Sequence, residues 1–243
     1  MKMLCFAKRN LKEILRDPLT VGFSLGFPLV LLLLLSAIQA RIPVPLFEIS
    51  HLTPGITVFG LSFMSLFSAT LIAKDRESAL LARLYTTPLS ASDFILGYML
   101  PFLPVSLAQS GICYLVALVL GLKPTLSILG ALLLILPVSL LFVGLGLLCG
   151  SLLQVKQVGG ICGALLTNLT AWLSGVWFDL SLVGGAFVRV AKCLPFYHAV
   201  ELERMALRGV YGEILPPLLI VLSFALAVLV AAILCFLRQM KRS

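Results

Sequence analysis

The side chains able to do acid–base, nucleophilic or metal chemistry are present in this 243-residue chain but are not spaced for it. The ten acids are Glu13, Asp17, Glu48, Asp75, Glu77, Asp93, Asp179, Glu201, Glu203 and Glu213, and all fall in loops or at the ends of apolar runs. His51 and His198 belong to no nucleophile–base pattern. Cys5, Cys113, Cys149, Cys162, Cys193 and Cys235 stand singly, without a C-x-x-C pair or metal spacing, and read as small apolar side chains. No G-x-x-x-x-G-K-[ST] phosphate loop occurs, so ATP hydrolysis on this chain is not expected. Catalytic, cofactor-binding and metal-ligating residues are accordingly read as none. Ion-coupled carriers place an ionisable group or an oxygen cage inside the membrane, and none is evident here. The polar residues within apolar runs are mild: Ser62, Ser65 and Ser68, then Thr167, Asn168, Thr170 and Ser174. They either bond helix to helix or line a substrate path. Ser62, Ser65, Thr167, Asn168 and Thr170 are the candidate path residues.

One charged segment, Lys74 to Ser90, lies between two long apolar runs. With Arg76 to Tyr85 helical, Leu80, Leu81 and Leu84 share an arc of ~100°, and Arg76 and Arg83 lie within ~20° of each other. Glu77 sits in the first turn, where the helix dipole favours a carboxylate. Thr87-Pro88 ends the helix, because a residue before proline avoids the helical region. Such a helix is either a solvated linker or a docking surface for something outside the bilayer.

The elements that position these residues are membrane helices. The chain is 60% hydrophobic and 12% charged, against about 25% charged for ordinary soluble domains. Its mean hydropathy is +1.13. The apolar runs do not alternate, which excludes a barrel, and several reach the roughly 20 residues needed to cross. Six spans are expected: about 20–40, 55–73, 94–120, 126–153, 158–177 and 216–237, with Pro28, Pro101, Pro104 and Pro137 marking kinks. Residues 3–16 form an amphipathic helix, with Leu4, Ala7, Leu11, Ile14 and Leu15 on one arc and Lys2, Lys8, Arg9, Lys12, Glu13 and Arg16 opposite. The run from Asp179 to Tyr197 is too short to cross and suits a re-entrant or interfacial segment broken at Gly184-Gly185; a short helix, His198 to Leu207, follows. The net charge of +8 follows from flanking residues that set topology and does not imply nucleic acid. With the N-terminus inside, 12 Lys and Arg fall on the cytoplasmic side and 6 outside, so both termini are expected in the cytoplasm. Gly22/Gly26, Gly146/Gly150 and Gly159/Gly163 are small-xxx-small pairs, open to packing within one bundle or between subunits.

Two stretches of this chain resemble the ABC type-2 exporter permeases. The first is Lys74-Asp75-Arg76-Glu77-Ser78, then Arg83-Leu84-Tyr85-Thr86-Thr87-Pro88-Leu89-Ser90 and Phe94-Ile95-Leu96-Gly97. The second is Leu173-Ser174-Gly175-Val176-Trp177-Phe178, then Leu194-Pro195-Phe196-Tyr197-His198-Ala199-Val200 and Arg204. Ser78 departs from the pair Gly-Thr that many members carry. The resemblance implies an all-α membrane protein: six transmembrane helices, an N-terminal interfacial helix (1–19), a cytoplasmic coupling segment (74–92) and extracellular re-entrant helices between spans five and six (178–215), forming one permease domain over 1–243. It implies a homodimer, or a pair with a related permease. A separate nucleotide-binding ATPase would carry ATP and Mg and dock at Arg76, Glu77, Leu80, Arg83 and Leu84. Phe187, Phe196 and Tyr197 would close the outer gate. The implied location is the plasma (inner) membrane, in contact with lipid and not nucleic acid. Chains of this kind handle drugs, lipids, peptides and glycans, and the scarcity of tryptophan, Trp172 and Trp177 only, points the expected cargo toward an amphiphilic small molecule, drug or lipid-like compound. A secondary carrier or channel, a membrane enzyme acting on lipids, and a non-transporting assembly subunit are the other readings of such a chain.

Overall fold

A computed structural model describes residues 2–43, 47–78, 91–177 and 180–240, and every regular element among them is helical. Helix α1 (Lys2–Arg16) precedes a first membrane helix built from α2 (Pro18–Val21), a π-helical turn (Gly22–Gly26) and α3 (Phe27–Gln39). The π turn lies just ahead of Pro28, which has no N–H for the carbonyl four residues back and crowds it; a widened turn absorbs that conflict. Helix α4 (Ile49–Glu77) follows, beginning six residues before the expected start at Gly55. Pro54 sits inside its second turn and removes only one ladder bond, while Thr53 Oγ1 donates to the Ile49 carbonyl at 2.7 Å. The third span is broken at Leu100-Pro101 into α5 (Ala91–Met99) and α6 (Phe102–Val119), as its prolines predict.

Helix α7 (Ser127–Leu152) runs unbroken through Pro137. The fifth apolar run is one helical stretch: α8 (Val155–Val158), a π-helical segment (Gly159–Leu166) and α9 (Thr167–Leu173). A 3₁₀ turn (Leu180–Leu182), α10 (Gly185–Cys193), α11 (Pro195–Arg208), a second 3₁₀ turn (Tyr211–Glu213) and α12 (Leu215–Met240) complete the chain. Gly184 and Gly185 both have positive φ (66° and 59°), which only glycine adopts cheaply, and so they start α10. Helix α11 begins three residues before the expected His198, because Pro195 suits a first helical position, and Gly209 ends it in the left-handed conformation.

Among the described residues, five helices are long and apolar enough to cross a membrane: Pro18–Gln39, Ile49–Glu77, Ser92–Val119, Ser127–Leu152 and Leu215–Arg238. The stretch from Val155 to Leu173, expected as a sixth, is not among them; Lys156, Gln157, Asn168 and its threonines dilute its apolar character. Helix α4 is the centre of the bundle. Its apolar stretch is 83% buried, against 17% for the first and last spans. It packs on α3, α6, α7 and α11 and on the π-helical segment of the fifth stretch. Gly146 and Gly150 of α7 touch α4 directly: a Cβ on Gly150 would lie 2.6 Å from the Ala69 carbonyl oxygen, and one on Gly146 would collide with Ser68 and Ser65. Gly22, Gly26 and Gly159 have nothing within 4 Å of the same position.

Candidate functional site at the charged end of the bundle

Helix α1 is fastened to the bundle through its basic face. Arg9 donates from both terminal nitrogens to Asp75 at 2.7 and 3.1 Å, and pairs with Glu13 at 2.7 Å. Asp75, in the last turn of α4, is 3% exposed and also accepts from Tyr98 Oη of α5 at 2.9 Å. Asn10, fully buried, donates to the Gly97 carbonyl at 3.0 Å. Phe6 lies against Gly97, where a side chain would collide with it, and meets Phe94 and Tyr98 edge-on at 5.7 and 5.0 Å. The buried face of α1 is therefore Phe6, Ala7, Asn10 and Ile14, while Leu4 and Leu15 are exposed. The apolar arc expected of this helix is divided between the protein and its surroundings. Burial works against the charge on Arg9, but the bonds and field of Asp75 outweigh it and hold the guanidinium above its ordinary value. Burial pushes the Glu13 carboxyl up, against the pull of Arg9.

Arg76 and Glu77, two of the five expected docking residues, reach the turn between α7 and α8. Arg76 donates to the carbonyls of Ser151 and Leu153, which end α7. Glu77 Oε1 accepts from the Val155 N–H, the first of α8, at 2.9 Å. A cation thus meets the negative end of one helix dipole, and its anionic neighbour meets the positive start of the next. Gln154 and Gln157 complete the start of α8 as a capping box. Leu80, Arg83 and Leu84 lie outside the described residues.

The candidate path residues differ in exposure. Ser62, Ser65 and Thr170 are fully buried, Thr167 is half-buried and Asn168 is exposed. Ser62, Thr167, Asn168 and Thr170 each bond to a carbonyl of their own helix, and Ser65 Oγ is buried without a hydrogen bond among the described residues. Of the gate residues, Phe196 is buried against Phe142 at 5.8 Å. Tyr197 packs on His198, with the Lys192 ammonium 5.9 Å above its ring, and Phe187 is half-buried on α10.

At the opposite end of the bundle lie Arg204, which the sequence reading noted without a role, and Glu203, whose burial it missed. Arg204 is 6% exposed and ties three elements, bonding to the His51 carbonyl and ring nitrogen at the start of α4 and to the Gly175 carbonyl beyond α9 at 2.8 Å. Its neighbour Glu203, read as a loop acid, is instead fully buried, 3.5 Å from Tyr114 Oη of α6, with Oε1 unbonded among the described residues. Burial pushes its carboxyl well above the usual range. Gln109, one turn from Tyr114, donates to the Thr57 carbonyl at 3.3 Å. The signal for Glu203 was its place on an i, i+3, i+4 stripe with Ala199, Val200 and Ala206, all buried with it.

The long apolar helices packed as a bundle define an integral membrane protein. Residues 2–207 match the family model described as ABC-2 type transporter, so the chain belongs to the ABC-2 transporter membrane family. The family's members of this kind are transmembrane components, normally non-catalytic, that work with an ATP-binding subunit. No curated protein matches the chain.

Proposed function

We propose that this chain is the permease subunit of an exporter driven by an ATPase on a separate chain. The observation that carries this reading is the wiring of the charged end. Three segments meet there: α1, the approach to residues 79–90, and the turn between α7 and α8. A nucleotide-binding subunit pressing on the 74–92 segment would move Arg76 and Glu77, and through them the two helices they cap. Arg76, Glu77, Leu80, Arg83 and Leu84 are the proposed contact residues. This end is proposed to face the cytoplasm, with both termini, in the plasma (inner) membrane. The basic excess on that side supports the orientation.

The stretch from Val155 to Leu173 is proposed as a sixth span, completed in an assembly where a second copy or a related permease covers its polar face. The 178–215 region is proposed as the re-entrant outer gate, with Phe187, Phe196 and Tyr197 at the path. The cargo is proposed to be an amphiphilic small molecule, drug or lipid-like compound, and Ser62, Ser65, Thr167, Asn168 and Thr170 are carried as path residues. The test is the double reversal E77K/R83E in the assembled transporter. The variant should insert normally and lose substrate-stimulated ATP hydrolysis, because one lost docking contact costs about 1–3 kcal/mol. Unchanged stimulated hydrolysis counts decisively against the docking assignment.

A further inference from the structure

A cavity of about 680 Å³ opens between α1, the start of α2 and the charged end of α4. That is within the size range of small-molecule sites. Five basic side chains line it, Lys8, Arg9, Lys12 and Arg16 from α1 and Lys74 from α4, against the acids Glu13 and Asp17. Both acids are engaged. Glu13 pairs with Arg9, and Asp17 accepts from the Leu19 N–H at 3.1 Å and from Thr20 Oγ1 at 2.8 Å. Arg9 is committed to Asp75. Among the described residues Lys8, Lys12, Arg16 and Lys74 have neither a hydrogen-bond partner nor an ion pair, although Lys74 feels the fields of Glu13 and Asp17. Lys8, Lys12 and Arg16 also stand four residues apart on one stripe of α1, where like charges repel.

The rest of the lining is Cys5, Ile14, Phe67 and Leu71 with Thr20 and Thr70, whose hydroxyls already donate to Asp17 and to the Leu66 carbonyl, and this largely apolar part points to the kind of anion. Ile14 and Leu71 are buried there, and Phe67 lies one turn further along α4. From Lys74 to Phe67 the helix rises about 10 Å, from a charged rim to an apolar floor. Leu15, Leu19 and Phe23, beside the lining residues in the chain, are 59%, 68% and 49% exposed. A free phosphate has no use for that floor. A phospholipid needs both parts: basic groups around its phosphate and apolar surface along its glycerol and acyl chain.

We propose that this cavity is a binding site for one anionic phospholipid, its phosphate held by Lys8, Lys12, Arg16 and Lys74 and its upper acyl chain laid on Phe67 and Leu71. The site goes beyond the transport reading. It rests on the membrane placement and requires neither the ATPase nor cargo. By this account α1 is held to the bundle from two sides, through Asp75 and through a lipid.

Binding of fluorescently labelled phosphatidylglycerol to the purified full chain in neutral detergent tests it, and the outcome is independent of any transport assay. One saturable site per chain is expected, with phosphatidylcholine failing to fill it. K74Q and K12Q, on different helices, should each weaken binding roughly fivefold, the effect of about one removed charge contact. K74R should retain it, and K123Q, an equal charge loss between α6 and α7, should leave it unchanged. Equal binding of phosphatidylcholine, or a K123Q effect as large as that of K74Q, would overturn the site in favour of bulk charge attraction. Competition by soluble glycerol phosphate at concentrations comparable to the lipid would overturn the lipid assignment and leave a site for a free anion.

Discussion

Glu203 and Asp75 are both buried carboxyl groups, and their neighbours differ. Asp75 accepts hydrogen bonds from the Arg9 guanidinium and the Tyr98 phenol. R9A strands that carboxylate and should lower stability by about 1–3 kcal/mol. The double variant R9A/D75A should cost less than the sum of the single changes, measured by thermal unfolding in detergent. Among the described residues Glu203 has only a long contact to Tyr114, and burial favours its neutral form. An acid whose folded value is raised binds its proton more tightly in the native state. Stability is therefore full below the unfolded value, about pH 4.3, and falls as pH rises from there toward the raised folded value. E203Q should be close to silent at low pH and should flatten that decline. A decline of equal slope in E203Q would show that the group responsible lies elsewhere.

At the scale of elements, the glycines of three helices have different work. Gly146 and Gly150 let α7 lie on α4, whereas Gly22, Gly26, Gly159 and Gly160 of the first and fifth stretches have nothing within 4 Å of a Cβ position, and Gly163 would make ordinary contact with Leu66. G150A forces α7 away from the Ala69 backbone and should destabilise by about 1–3 kcal/mol. G159A meets open space and should leave the unfolding temperature of the isolated chain unchanged or slightly raised. A G159A loss equal to that of G150A would mean that the fifth stretch packs within the chain in a way the static contacts do not record. The cap on α8 is a second device at this scale. E77A removes the acceptor for the Val155 N–H and should cost about 0.5–2 kcal/mol, whereas E77Q keeps an acceptor and should cost less. Comparing the two separates capping from charge at a residue that also belongs to the proposed docking segment.

The whole molecule presents its least buried spans, the first and the last, at the periphery around α4. The open glycines of the first and fifth stretches make these the expected seam with a second copy or a related chain. Cysteines introduced at positions 22 and 159, in a background without the six native cysteines, should crosslink between copies. Crosslinks confined to other spans would place the seam elsewhere. The purified chain should show no nucleotide turnover, since the sequence holds no phosphate loop. Turnover that persists after removal of contaminating ATPases would contradict that expectation.

Composition and run length alone determined that this is a helical membrane protein, because lipid forces every backbone group to be satisfied within a helix and so writes each span into local sequence. The N-terminal helix, the break at Pro101 and the glycine break at 184–185 were legible for the same reason: each is set by neighbours a few residues away. Family membership was legible in two short stretches of residue types, since motif residues lie together in the chain. Tertiary structure alone decided which charges meet. Arg9 finds Asp75 across 66 positions, Glu77 finds Val155 across 78, and Arg204 finds His51 across 153. No periodicity encodes such pairings. It also decided which face of α1 is buried, because an apolar arc satisfies lipid and protein equally well until a neighbouring helix takes one side of it. The burial of Glu203 is the sharpest case: its own stripe was apolar, yet only the packing of α11 against α4 and α7 removed its carboxyl from water.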